Sequence, residues 1–144
     1  MFTPPSARAA SAYRALSIQG HMDGASPHQL VSMLFDALLV AVGGARMALG
    51  RSDVAVKGMQ IGKAVRIVEE GLKAGLNGER GGDLAVNLRN LYDYCVSRLT
   101  YANAHNDDAA LAEVIALIEP VAQSWKSIGA QVAGMPAVTE PQGA

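Results

Sequence analysis

Few side chains in this 144-residue chain are of the types that do covalent or metal chemistry, and their spacing keeps them apart. The histidines are His21, His28 and His105. No two stand at i, i+4, and no Glu-x-x-His occurs, so neither a zinc site nor a di-iron bundle site is expected. Glu69 and Glu70 are neighbours that point in different directions from a helix, which makes them a solvated face rather than an acid/base dyad. The stretch from Gly78 to Gly82 lacks the Gly-Lys-Ser/Thr ending of a phosphate loop and reads as a turn. Cys95 falls on an apolar stripe with no adjacent cation to depress its pKa, so it reads as a packed small hydrophobe. No catalytic constellation, cofactor site or metal site follows from these residues.

The elements that would position a site belong to one domain, since 144 residues is the size of one. Hydrophobic residues make up 50% and charged residues 17%, against about 25% charged in ordinary soluble domains. That is more apolar surface than a small core needs. A net charge of −1 from 12 basic and 13 acidic residues, without a Lys/Arg run, removes the electrostatic footprint of a nucleic-acid binder. The lone cysteine excludes an internal disulfide framework and is compatible with a reducing cytosol. Met1 to Ser11 lacks the apolar core of a secretory signal. The longest apolar run, Leu30 to Val42, is short for a span and carries Asp36 in its middle. A cytoplasmic protein without membrane insertion is therefore expected.

Pattern and punctuation predict an all-α chain. Residues 1–25 and 133–144 are rich in Pro, Gly, Ser and Ala and read as a flexible N-terminal segment, mobile or helical around Ser11 to Gln19, and a disordered tail. Between them, 26–132 should form an antiparallel up-down four-helix bundle. Ser26-Pro27-His28-Gln29 combines an N-cap, a first-turn proline and a capping box, and opens a helix that Gly50 should stop. Ser52 or Asp53 caps a second helix with the stripe Val54, Ile61, Val65, Val68, Leu72 and Leu76, leaving Lys57 among the polar positions. After a breaker at 77–82, Asp83 should cap a third helix with the stripe Leu84, Leu88, Leu91, Cys95, Leu99 and Ala102. Asn106-Asp107-Asp108 opens a fourth, with Leu111, Ile115, Ile118, Val121 or Ala122, Trp125, Ile128 and Val132 on one side and Pro120 inside, where it should bend the helix.

Two surfaces suggest binding. From Leu30 to Val42 only Ser32 and Asp36 are polar, so apolar side chains surround the first helix. Leu34 and Leu38 are candidate groove-lining residues there, unless the circumference is buried by the N-terminal segment or by a second copy. Opposite the core stripe of the third helix, Asn87, Asn90, Tyr94, Arg98 and Tyr101 form a face of aromatic bodies with polar tips. Such a face is either solvated or the kind that anchors protein interfaces.

The strings Ala25-Ser26-Pro27, Met33-Leu34-Phe35-Asp36, Gly81-Gly82-Asp83-Leu84-Ala85, Leu91-Tyr92-Asp93-Tyr94, Arg98-Leu99, Ala102-Asn103, Asn106-Asp107 and Trp125-Lys126 occur in this order. Together they resemble the FliS family of flagellin export chaperones. That resemblance implies a four-helix bundle that holds the disordered C-terminal segment of flagellin in the cytosol, prevents premature polymerisation, and hands the subunit to the flagellar type III export gate. It also implies that an N-terminal segment bearing Tyr13 can occupy part of the cargo surface. The rival reading is a structural bundle that self-associates through the first helix without cargo.

Overall fold

The computed structural model describes residues 26–76 and 82–134, the side chains of 130–134 excepted. The described residues form four helices: α1 (Pro27–Gly50), α2 (Val54–Arg66, continued by a π-helical segment Ile67–Leu72), α3 (Gly82–His105) and α4 (Asp108–Gly134). Tyr13, His21, the breaker at 77–81 and the C-terminal tail lie outside them.

The start signals operate as their chemistry requires. The Ser26 hydroxyl accepts from the Gln29 amide at 3.1 Å while the Gln29 side chain accepts from the Ser26 amide at 2.8 Å, a reciprocal capping box that satisfies two otherwise orphaned donors. Asp53 caps α2 by accepting from the Val56 amide at 3.2 Å, and Asp107 accepts from the amides of Ala109 and Ala110 at the start of α4. The expected N-cap Asp83 instead sits in the first turn of α3, where its charge suits the positive end of the helix.

Helix ends were harder to place from residue type. Gly50 is the last helical residue of α1, and the left-handed turn that ends it falls on Ser52, with φ of 60°. The Asp53 amide then reaches back to the Ala48 carbonyl at 2.8 Å and the Ser52 amide to Leu49 at 3.0 Å, closing a Schellman motif on serine rather than glycine. Asn106, with φ of 52°, ends α3 in the same way, the Asp107 amide bonding the Ala102 carbonyl.

Polar contacts fix the helix directions. Lys57 at the start of α2 meets Asn103 and Asn106 at the end of α3, and Arg89 near the start of α3 meets the Leu76 carbonyl beyond α2. Arg46 late in α1 pairs with Asp108 at the start of α4, while Asp36 and His28 early in α1 meet Lys126 and Trp125 late in α4. Each helix is thus antiparallel to its neighbours in a ring α1–α2–α3–α4, an up-down bundle. Its axis is filled by Leu34, Phe35, Leu38, Val42, Ile61, Ile67, Val68, Leu99, Leu111, Val114 and Ile118, all 2% exposed or less. At the open end of α1, the His28 ring stacks on Trp125 at 4.4 Å and 6°. The indole donates to the His28 carbonyl at 2.9 Å, and Gly129 leaves the room that the imidazole occupies, which any side chain there would take.

Several stripe assignments are corrected. Lys57 is not on the polar face: it is 4% exposed, its ammonium donating to the Asn103 carbonyl at 2.9 Å and to Asn106 Oδ1 at 2.5 Å. It thereby caps the negative end of α3 from a neighbouring helix. Val54 and Leu84, expected inside, are 61% and 63% exposed, because each lies in the first turn where the helix has not yet entered the core. Tyr92, absent from the expected stripe, is buried, and that burial pushes its phenol well above the usual tyrosine range. Ile67 was also missed, because the π segment inserts a residue that turns both Ile67–Val68 and Gly71–Leu72 inward. Pro120 is exposed, and α4 continues across it.

Candidate functional site

Chemistry is scarce in the bundle. Among the described residues no group of three or more His, Cys, Asp or Glu side chains could hold a metal ion. Cys95 is fully buried, and its thiol is pushed up to about 11, first by burial and then by the Glu113 charge. A thiol that stays protonated is neither nucleophile nor ligand.

The side chains that the third helix sets outside its core do come together. Asn87, Asn90, Tyr94 and Tyr101 are exposed and Arg98 half-buried, spaced by three or four residues along one face of α3. Tyr94 and Tyr101 keep 46% and 43% of their surface in solvent, far more than residues of their size keep when they serve a core. The Arg98 guanidinium lies 4.9 Å from the Tyr101 ring centroid, a cation–π contact, and Tyr101 packs against His105 at 4.2 Å. From α4, Glu113 joins this ladder: its Oε2 accepts from the Tyr94 hydroxyl at 2.6 Å and its Oε1 from Arg98 Nε at 2.8 Å. The Tyr94 hydroxyl bond, then the Arg98 guanidinium, hold the Glu113 carboxyl below its ordinary range. The Tyr94 phenol is raised by the same bond.

That polar clip also shows the register of α3 against α4. With the helices antiparallel and Glu113 opposite 94 and 98, each further turn of α4 meets an earlier turn of α3: Leu117 near Leu91, Val121 near Leu88, Ile128 towards Leu84. Leu88, Leu91, Leu117 and Val121 are half-buried, and Leu84 and Ile128 are 63% and 52% exposed. These six positions, none of them charged, make an apolar border between α3 and α4 that is half-buried next to the aromatic ladder and exposed at its far end. Sequence reasoning placed Ile128 in the core, left Val121 as an alternative to Ala122 there, and passed over Glu113 and Leu117. Their spacing on α4 carries the signal, a second apolar row beside the core row, visible only once α3 is known to lie on that side.

The candidates on the first helix come out differently. Leu34 and Leu38 are both 0% exposed and enclosed in the bundle core, so they line no open groove. The apolar circumference of α1 is divided instead: seven side chains from Leu34 to Ala48 turn inward, while Val40 and Met47, 73% and 66% exposed, face out. Beside Met47 an open depression of about 750 Å³ between α1 and α4 is lined by Gly43, Leu49 and Ile115 and crossed by the Arg46–Asp108 pair. At 24 residues, α1 is also longer than its apolar run, and among the described residues it is the one helix long and apolar enough by length and composition to cross a membrane. The buried inner face is what a central bundle helix requires in any case. Tyr13, the remaining candidate, lies outside the described residues.

The chain is similar to known proteins over most of its length. Residues 9–132 match the family model described as flagellar protein FliS. The chain is 46% identical over 117 residues to the flagellar secretion chaperone FliS of Salmonella typhimurium, covering 81% of this chain and 87% of that one. It is 40% identical to the flagellar secretion chaperone FliSB of Pseudomonas aeruginosa over 84% of this chain and 95% of the relative. With FliS of Bacillus subtilis the identity is 32%, over 75% and 79% of the two chains.

Proposed function

We propose that this chain, which belongs to the FliS family of flagellar secretion chaperones, binds the disordered C-terminal segment of flagellin in the cytoplasm, keeps it from polymerising, and delivers it to the flagellar type III export apparatus. Its class is a chaperone of flagellar export, a role carried by surface rather than by catalysis. The observation that carries the finer reading is the α3–α4 face: partly exposed leucine, valine and isoleucine side chains beside the ladder of Tyr94, Arg98 and Tyr101, held by Glu113. An amphipathic helix formed by the tail can lay its apolar side there, while the tyrosines supply broad contact area with a hydrogen-bonding end. Folding of the tail is coupled to binding, so several turns of apolar contact are needed to outweigh the ordering entropy.

Sedimentation of the full chain with a synthetic flagellin C-terminal peptide tests this reading. A one-to-one complex that leaves the chain otherwise monomeric is the expected outcome. A second reading rests on Val40 and Met47, whose exposure on α1 suits a self-associating structural bundle. A stable dimer that buries them and takes up no peptide would favour it.

A further inference from the structure

We infer that Glu113 is a positioning residue for the aromatic face of α3, holding Tyr94 and Arg98, and through Arg98 also Tyr101, in the arrangement that receives cargo. The inference deepens the reading of that face as the flagellin-binding surface and rests on it. Four of the five side chains in the ladder, Tyr94, Arg98, Tyr101 and His105, come from one helix face, and they present a long flexible guanidinium and three rings to solvent. Within α3 the guanidinium meets only the face of the Tyr101 ring among the contacts described. The fixing group comes from the opposite helix: one Glu113 carboxylate spends both oxygens on this face, one on the Tyr94 hydroxyl at 2.6 Å and one on Arg98 Nε at 2.8 Å.

Arg98 so held lies over the Tyr101 ring, which in turn packs on His105. Glu113 stands between α3 and α4 with Leu117 the next turn along, so a segment laid along that apolar border meets the side chains it orders. Its own side chain is 37% exposed. A core contribution is thus small, and removing it should leave the bundle intact. Without Glu113, Tyr94 and Arg98 sample several rotamers in the free protein, and their ordering opposes binding at the moment cargo arrives.

The test uses the full chain, a synthetic flagellin C-terminal peptide and titration calorimetry at neutral pH. Glu113→Ala should weaken uptake on the order of tenfold, with an unchanged melting temperature, and Glu113→Gln, which keeps one acceptor oxygen, should recover part of the loss. The Tyr94→Phe loss should largely disappear in the Glu113→Ala background, since both changes break the same link. In the free protein, the ultraviolet tyrosinate titration should show Tyr94 ionising at lower pH in Glu113→Ala than in the parent. If the parent binds the peptide and Glu113→Ala binds it equally well, the positioning role is overturned and the chaperone surface stands. Losses of affinity and melting temperature in parallel would likewise overturn it, as a structural role. A parent chain that takes up no peptide removes the functional reading, and this inference with it.

Discussion

Cys95 shows how one position is decided by its surroundings. Its place on an apolar heptad-like stripe of α3 made its burial legible in the sequence, whereas the extent of its silence depends on Glu113, which lies 18 positions on and comes near only through the fold. The thiol is pushed up to about 11 in the folded chain. In the unfolded chain it ionises near pH ~8.5. The proton is therefore held more tightly by the folded state, and the stability this contributes is complete below that pH and lost as pH rises towards 11. Two outcomes are expected: at pH 8 a disulfide reagent labels Cys95 only as fast as the bundle opens, and a Cys95→Ala chain loses less stability between pH 8.5 and 11 than the parent. Labelling at the rate of a free thiol would place Cys95 on an open surface. Lys57 marks the opposite limit of legibility. A lysine on an amphipathic helix is by default a solvated group, and its burial here follows from two acceptors on a turn nearly fifty residues away.

At the scale of elements, starts were legible and stops were not. A capping box is a local pattern of named residues, and Ser26 with Gln29 forms one as written. A stop depends on which residue accepts a left-handed backbone, and here serine and asparagine do what glycine usually does. The two sites respond oppositely to glycine. Ser52→Gly relieves the positive φ and should stabilise the chain by about 0.5–1 kcal/mol. Asn106→Gly relieves the same strain but removes the side-chain oxygen that Lys57 donates to, leaving a buried ammonium one acceptor short, and should destabilise by about 1–3 kcal/mol net. Thermal melts of the two variants check the sign of each, and a stabilised Asn106→Gly would show that the Lys57 contact carries little. The π segment was invisible for a related reason: a helical stripe is counted at 3.6 residues per turn, and an inserted residue moves the count without any residue type announcing it. Gly71 is its trace in packing, since a Cβ there would stand 3.0 Å from both Leu34 methyl carbons.

For the whole molecule, composition announced an excess of apolar surface, and among the described residues it lies on every helix: Val40 and Met47 on α1, Val54 and Met59 on α2, Leu84, Val86, Tyr94 and Tyr101 on α3, and Ile128 on α4. The helix-3 candidates were legible because they share a face within one element. The α4 side of the border was not, because an interhelical border belongs to two elements, and the sequence places neither relative to the other. Leu34 and Leu38 misled for the converse reason: an apolar circumference does not state which side faces the core. Tyr13 and the segment around it belong to the same question. If that segment competes with cargo, as the family resemblance implies, deleting residues 1–19 should tighten or leave unchanged the affinity for the flagellin tail and increase dye binding to the exposed surface, whereas direct contact of Tyr13 with cargo would lower the affinity.

The most direct measurement is a calorimetric titration of the full chain and its Tyr94→Ala variant with one flagellin C-terminal peptide, accompanied by thermal melts. One-to-one uptake by the parent, weakened on the order of tenfold or more in Tyr94→Ala with the melting temperature unchanged, is the expected result. Equal affinity in the two proteins would contradict a cargo surface on α3 and α4, and absence of uptake by the parent would contradict flagellin as the cargo.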